Sequence, residues 1–136
     1  MPLQPTHVID TSALIAYLKG EQGHEIFADL VRVEANILAM HAINFCELYY
    51  HYRRYDGHER AELAWTTANE IVTMLDPLTE QFVKRIGRWK VEQNLGLGDA
   101  IAAATAEEYG CPLVTTDHND FSAIDTSGAL EILWLR

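Results

Sequence analysis

Three aspartates stand where a short apolar run stops or a helix begins. Asp10 ends Val8-Ile9, Asp117 ends Leu113-Val114-Thr115-Thr116, and Asp99 opens the alanine-rich stretch that reaches Tyr109. In an open α/β sheet, ligands bind beyond the carboxyl ends of the strands, near the point where strand order reverses. Asp10 and Asp117 fall on that edge, and Asp99 begins the helix that leads into the Leu113 strand. If the two strands are neighbours, three carboxylates converge. Like charges packed that closely raise one another's pKa unless a cation neutralises them. Hard oxygen donors without cysteine or a paired histidine favour Mg²⁺ or Mn²⁺ over zinc. Taken singly, each acid has a simpler explanation. Asp10 and Asp99 can cap helices, and Asp117 can start an Asx-turn. Asp120, one turn beyond Asp117, is equally at home in a loop.

The elements that position these acids can be read along the chain. Val8-Ile9-Asp10 reads as a strand, followed by a helix opened by Thr11 and Ser12 and stopped at Gly20. Helical spacing continues over 24–34, and 36–40 suits a buried strand. Two long amphipathic stretches cover 43–55 and 59–73, and Met74-Leu75-Asp76-Pro77 looks like a third strand stopped by proline. Thr79 caps a helix carrying Phe82, Val83, Ile86 and Trp89; residues 94–98 read as a loop before the Asp99 helix. Strands at 112–116 and 130–135 complete the set. Short apolar strands alternating with helices predict an α/β fold in one domain, residues 1–136, with a parallel sheet covered on both faces.

Composition bounds the rest. The 136 residues are 49% hydrophobic and 22% charged, which excludes a disordered or low-complexity chain. No apolar run approaches the roughly 18–20 residues of a membrane span, and Met1–His7 has neither the basic nor the apolar segment of a secretory leader. A cytoplasmic protein is expected. Cys46 and Cys111 fit no metal or disulfide spacing and read as small buried hydrophobes. Ten Lys and Arg against twenty Asp and Glu give a net charge of −10, which repels nucleic acid at long range. The bases gather at Arg53, Arg54 and Arg60 and again at Lys84, Arg85, Arg88 and Lys90, whereas Glu92 to Leu135 holds no Lys or Arg.

Four blocks resemble the PIN domain: Val8-Ile9-Asp10-Thr11-Ser12-Ala13-Leu14-Ile15, Asn44-Phe45-Cys46-Glu47-Leu48, Leu97-Gly98-Asp99-Ala100-Ile101-Ala102-Ala103-Ala104, and Leu113-Val114-Thr115-Thr116-Asp117-His118-Asn119-Asp120-Phe121. They occur in the family's order, and at this length the chain is similar to VapC-type toxins, the ribonuclease halves of toxin–antitoxin pairs. The resemblance implies a five-stranded parallel sheet with the first and fourth strands side by side. It makes Asp10, Glu47, Asp99 and Asp117 an acidic quartet around one or two Mg²⁺ or Mn²⁺ ions, with Asp10, Asp99 and Asp117 as the metal ligands. Glu47 enters on the resemblance alone, since glutamate suits any exposed helix face. Ser12 and Thr116 match supporting polar positions, and Asp120 matches an accessory acid. Gly98 departs from the pattern, because many relatives carry an acid or a polar residue there.

The activity implied is endonucleolytic hydrolysis of RNA leaving 5′-phosphate and 3′-hydroxyl ends, with an antitoxin protein as partner and a homodimer as the assembly. Recruitment of RNA to so acidic a chain would fall to Arg53 and Arg54 or to the Lys84–Lys90 group. The alternative is a catalytically silent PIN-fold interaction module, whose signature is loss of one of the four acids. A receiver-like phosphoacceptor domain wants an acid pair after the first strand, yet Thr11 follows Asp10. A phosphatase with an Asp-x-Asp motif fails at Ser12, and Gly96-Leu97-Gly98 lacks the third glycine of a dinucleotide loop.

Overall fold

The computed structural model describes residues 4–136; part of the segment on which the leader expectation rests, residues 1–3, lies outside them. Five strands and seven helices alternate: β1 (His7–Ile9), α1 (Thr11–Leu18), α2 (His24–Arg32), β2 (Leu38–His41), α3 (Ala42–Tyr55), α4 (His58–Ile71), β3 (Thr73–Leu75), α5 (Glu80–Glu92), α6 (Leu97–Tyr109), β4 (Leu113–Thr115), α7 (His118–Ser127) and β5 (Ile132–Trp134). The strands form one sheet in the order β3-β2-β1-β4-β5, and every neighbouring pair is parallel. The order reverses at β1, with β2 on one side and β4 on the other. The expected α/β architecture and the β1–β4 adjacency are both present.

Alternation along the strands sorts the core into two layers. Ile9 and Val114 face a cluster built with Leu14, Phe27, Phe45 and Leu48 from α1 to α3. Val8 and Leu113 face the opposite cluster, with Phe82 and Trp89 of α5, the alanines of α6, and Phe121 and Ile124 of α7. Every residue from Ala100 to Ala106 is buried. Five of these seven are alanines, so α6 lies close against the sheet, and its first turn is carried to the carboxyl edge beside β1 and β4.

Several boundaries differ from the sequence reading. Helix α6 begins at Leu97, with Gly96 as N-cap, so Asp99 sits inside the first turn and does not cap it. Helix α7 was not expected at all. Cys46 is exposed and Cys111 only half-buried, against the expectation that both are core residues. Among the described residues, no helix is long and apolar enough to cross a membrane.

Candidate active site

The site is assembled from the ends of β1 and β4 and the first turns of α1, α6 and α7. Asp10 follows β1 and is the N-cap residue of α1, yet its carboxylate makes no bond to the helix amides. It points instead at two hydroxyls. Ser12 Oγ donates to Asp10 Oδ2 at 2.7 Å and Thr115 Oγ1 donates to the same oxygen at 2.8 Å. Each hydroxyl also accepts a backbone amide from the turn after β4: Thr116 N–H donates to Ser12 Oγ at 3.2 Å, and Asp117 N–H donates to Thr115 Oγ1 at 3.0 Å. Thr115 is fully buried and supplies this hydroxyl, whereas the residue the resemblance singled out, Thr116, contributes its main chain.

Asp117 caps α7, its Oδ1 accepting from the Asp120 amide at 3.1 Å. That cap brings Asp120 back beside Asp117, while α6 delivers Asp99 from the other side. Among the described residues, Asp99, Asp117 and Asp120 each present one carboxylate oxygen within 4.8 Å of the other two, close enough for one cation to meet all three. Asp120, expected only as an accessory, belongs to this innermost group. Asp10 and Glu47 lie outside it. His118 turns to the chain's end: its ring stacks on Trp134 at 3.8 Å, and Nε2 lies 2.6 Å from Arg136 O.

The electrostatics follow from the crowding. Burial first, then the proton shared with Asp120 and the charges of Asp10, Asp120 and Asp117, pushes the Asp99 carboxyl up to about 9. Burial raises Asp10 to about 6, against the lowering effect of the Ser12 and Thr115 bonds, with the Glu47 and Asp117 charges adding to the rise. Asp117 is also raised, by burial and by Asp120. A group of acids that holds protons so firmly accepts either protons or a multivalent cation.

Glu47 stands on α3, facing the first turn of α6. Its Oε1 accepts from Asn44 Nδ2 at 2.7 Å and lies 3.2 Å from the Thr11 hydroxyl. Further along the same helix the two candidate arginines diverge. Arg54, seven residues on, shares the Glu47 face, with its guanidinium 5.6 Å from the Tyr50 ring between them. Arg53 turns aside to His58, 2.9 Å away. The second basic group is occupied elsewhere. Arg85 pairs with Glu107 and Glu108 and Arg88 with Glu107, closing α5 onto α6, while Lys84 pairs with Glu80 and Arg88 with Glu92 within α5.

A parallel sheet in this order, with an acidic group at the carboxyl edge where the order reverses, defines an α/β domain with a carboxylate cluster at its switch point. The profile of the PIN domain family matches residues 7–126. The chain belongs to that family. Comparison with curated proteins finds no match at the level of sequence. Among solved structures, the fold is similar to DNA-bound VapBC from Salmonella typhimurium (19% identity, TM-score 0.75, covering 97% of this chain and 99% of that one). It is similar also to a toxin–antitoxin complex from Klebsiella pneumoniae (21% identity, TM-score 0.70, 96% and 98% covered). A third likeness is to VapC20 from Mycobacterium tuberculosis, a toxin that cleaves the sarcin-ricin loop (21% identity, TM-score 0.67, 87% and 94% covered).

Proposed function

We propose that this protein is a metal-dependent endoribonuclease, and the toxin of a toxin–antitoxin pair. The observation that carries the reading is the convergence of Asp99, Asp117 and Asp120, with Asp10 beside them, at the carboxyl edge of a PIN-family sheet. The donor set fits a divalent ion: it is all carboxylate oxygen, and it sits where like charges need neutralising. Mg²⁺ or Mn²⁺ held there by Asp99, Asp117, Asp120 and Asp10 would neutralise phosphate charge and lower the pKa of a bound water. The chain's own residues do the positioning. Ser12 and Thr115 fix Asp10 through Oδ2, and neither bond falls on Oδ1. The Asp117 cap fixes Asp120 against Asp117. Glu47 adds a fifth carboxylate at the wall formed by α6 and orients the attacking water.

RNA is the proposed substrate, and Arg54 with Tyr50 on the Glu47 face of α3 is the proposed approach for its backbone. The likeness to toxin–antitoxin complexes supports a small antitoxin as partner, with a basic side chain meeting the acidic mouth in place of the metal. A homodimer and a cytoplasmic location complete the proposal.

The test uses antitoxin-free protein with a panel of structured and single-stranded RNAs, in Mg²⁺, Mn²⁺ or EDTA, beside Asp99→Asn. Cleavage leaving 5′-phosphate ends, abolished by EDTA and by the substitution, is expected. Equal cleavage by Asp99→Asn would assign the activity to a contaminant. No cleavage by folded protein shown free of antitoxin would turn the reading toward a binding-only PIN module.

A further inference from the structure

Gly98 is a glycine with no conformational reason to be one. It is the second residue of α6 and its φ lies outside the left-handed region, so any residue adopts its backbone. Glycine inside a helix is less stable than alanine, because more backbone freedom is lost on folding. What it provides is space. A Cβ at this position would overlap the Glu47 carboxylate, falling 2.5 Å from Cδ and 2.6 Å from Oε1 and closer still to Oε2.

The same point of contact is held by hydrogen bonds. Asn44 is fully buried, and its Nδ2 donates both to Glu47 Oε1 at 2.7 Å and to Gly98 O at 3.0 Å. Both partners are acceptors, which fixes the orientation of the amide. The cost of that orientation is visible at the other end, where Asn44 Oδ1 is buried with no partner. An orphaned buried acceptor of this kind is destabilising, and here it accompanies a clamp on one carboxylate. Thr11 adds a hydroxyl at 3.2 Å on the same Oε1. Oε2 takes no bond from the described residues.

We infer that Gly98 and Asn44 are positioning residues that dock the Glu47 carboxylate on the first turn of α6, next to Asp99, with Oε1 clamped by hydrogen bonds and Oε2 seated against Gly98. The inference rests on the reading of Glu47 as part of the nuclease centre. It also accounts for the glycine at position 98, which leaves room for the side chain of Glu47.

Gly98→Ala tests it, because a methyl group there favours the helix and displaces only the end of a flexible side chain. The variant is expected to fold with a Tm within a few degrees of the parent's, the helix gain of alanine opposing the lost Asn44 and Thr11 bonds. It is expected to bind Mn²⁺ about tenfold or more weakly by calorimetry, and to lose about tenfold or more in kcat with KM for RNA little changed. In a Glu47→Gln background it should have no further effect, and Glu47→Asp should recover part of the loss in the Gly98→Ala background by shortening the side chain. Parent-like Mn²⁺ affinity and cleavage in Gly98→Ala would overturn the inference. So would a crystal structure of that variant with the carboxylate unmoved, whether or not RNA is cut. A displaced carboxylate in that structure, beside a parent protein that neither binds Mn²⁺ nor cleaves RNA, would leave the docking intact and sink the nuclease reading alone.

Discussion

Thr115 Oγ1 and Asp10 Oδ2 are 2.8 Å apart across two adjacent parallel strands, and this bond is made wholly out of solvent. Its donor sits at the end of β4 and its acceptor just beyond β1, so the bond joins the two strands at the point where sheet order reverses. The same hydroxyl accepts the Asp117 amide, and through it one side chain sets two of the site's carboxylates.

Thr115→Val keeps the shape of the side chain and removes that link. Leaving Asp10 and the Asp117 amide short of a partner should cost about 1–3 kcal/mol of stability, seen as a lower denaturant midpoint. Cleavage should fall about tenfold or more, because both acids lose an anchor. Thr116→Val should do much less, since only the main chain of Thr116 is engaged. A Thr116→Val effect as large as that of Thr115→Val would contradict this assignment.

In EDTA, stability should fall as pH rises. The unfolded carboxyls titrate near 3.8, whereas Asp10 and Asp99 in the fold sit at about 6 and about 9. Between those limits the native state binds more protons than the unfolded one, so its stability decreases with increasing pH. The contribution is fully present below about pH 4 and is lost as pH rises through about 6 and then about 9. Asp99→Asn should flatten that slope, most completely above about pH 6, and raise Tm at neutral pH, because the parent must there hold a proton on the buried Asp99 that the unfolded chain releases. Each kcal/mol so recovered is worth roughly 2–8 °C. Mn²⁺ should raise the parent's Tm more at pH 8 than at pH 5. A Tm in EDTA that is flat or climbs over this range would show that burial and crowding do not raise Asp10 and Asp99.

Asp120 should matter as much as Asp117. The two carboxylates belong to one group, and the amide of Asp120 is the donor that fixes Asp117. Asp120→Asn keeps that amide and removes only the charge, so a loss of cleavage comparable to that of Asp117→Asn, about a hundredfold, is expected from removal of a metal ligand or its immediate partner. Less than a threefold change would return Asp120 to an accessory role.

The line between what was and was not legible in the sequence runs through particular residues. Asp10, Asp99 and Asp117 were readable because each interrupts an apolar or alanine-rich run, and parallel strands place such interruptions at one edge. Glu47 carries no such mark, being one polar residue in an amphipathic helix, and only the family blocks brought it in. The closeness of Asp120 to Asp117 and Asp99 carries no mark in the sequence because helix α7 is hidden: His118, Asn119 and Asp120 are turn formers, and they mask the spacing of Phe121 and Ile124, both buried. The Asp117 cap three residues before Asp120 was the available signal. Gly96 and Gly98 likewise argued for a loop where α6 had already begun. Propensity at Gly98 yielded to the close approach of Glu47, a contact between residues 51 positions apart that no local pattern carries.

The two arginines at the end of α3 give the sharpest test of how RNA reaches an acidic protein. Periodicity puts Arg54, but not Arg53, on the face of Glu47, about 10 Å further along the axis at 1.5 Å per residue. Tyr50 lies between, its ring 5.6 Å from the Arg54 guanidinium, and Arg53 is engaged with His58. In an Asp99→Asn background, expected to hold RNA without cutting it, Arg54→Ala should weaken binding several-fold. It should also reduce the slope of log K against log salt by about 0.7, the signature of one lost phosphate contact on a single strand. Arg53→Ala should leave both quantities near the parent's. Fluorescence anisotropy with a labelled RNA, titrated at several salt concentrations, reads affinity and slope together. Equal effects of the two substitutions would mean that RNA senses only the net charge of the helix end, and no effect of either would move the approach off α3 altogether.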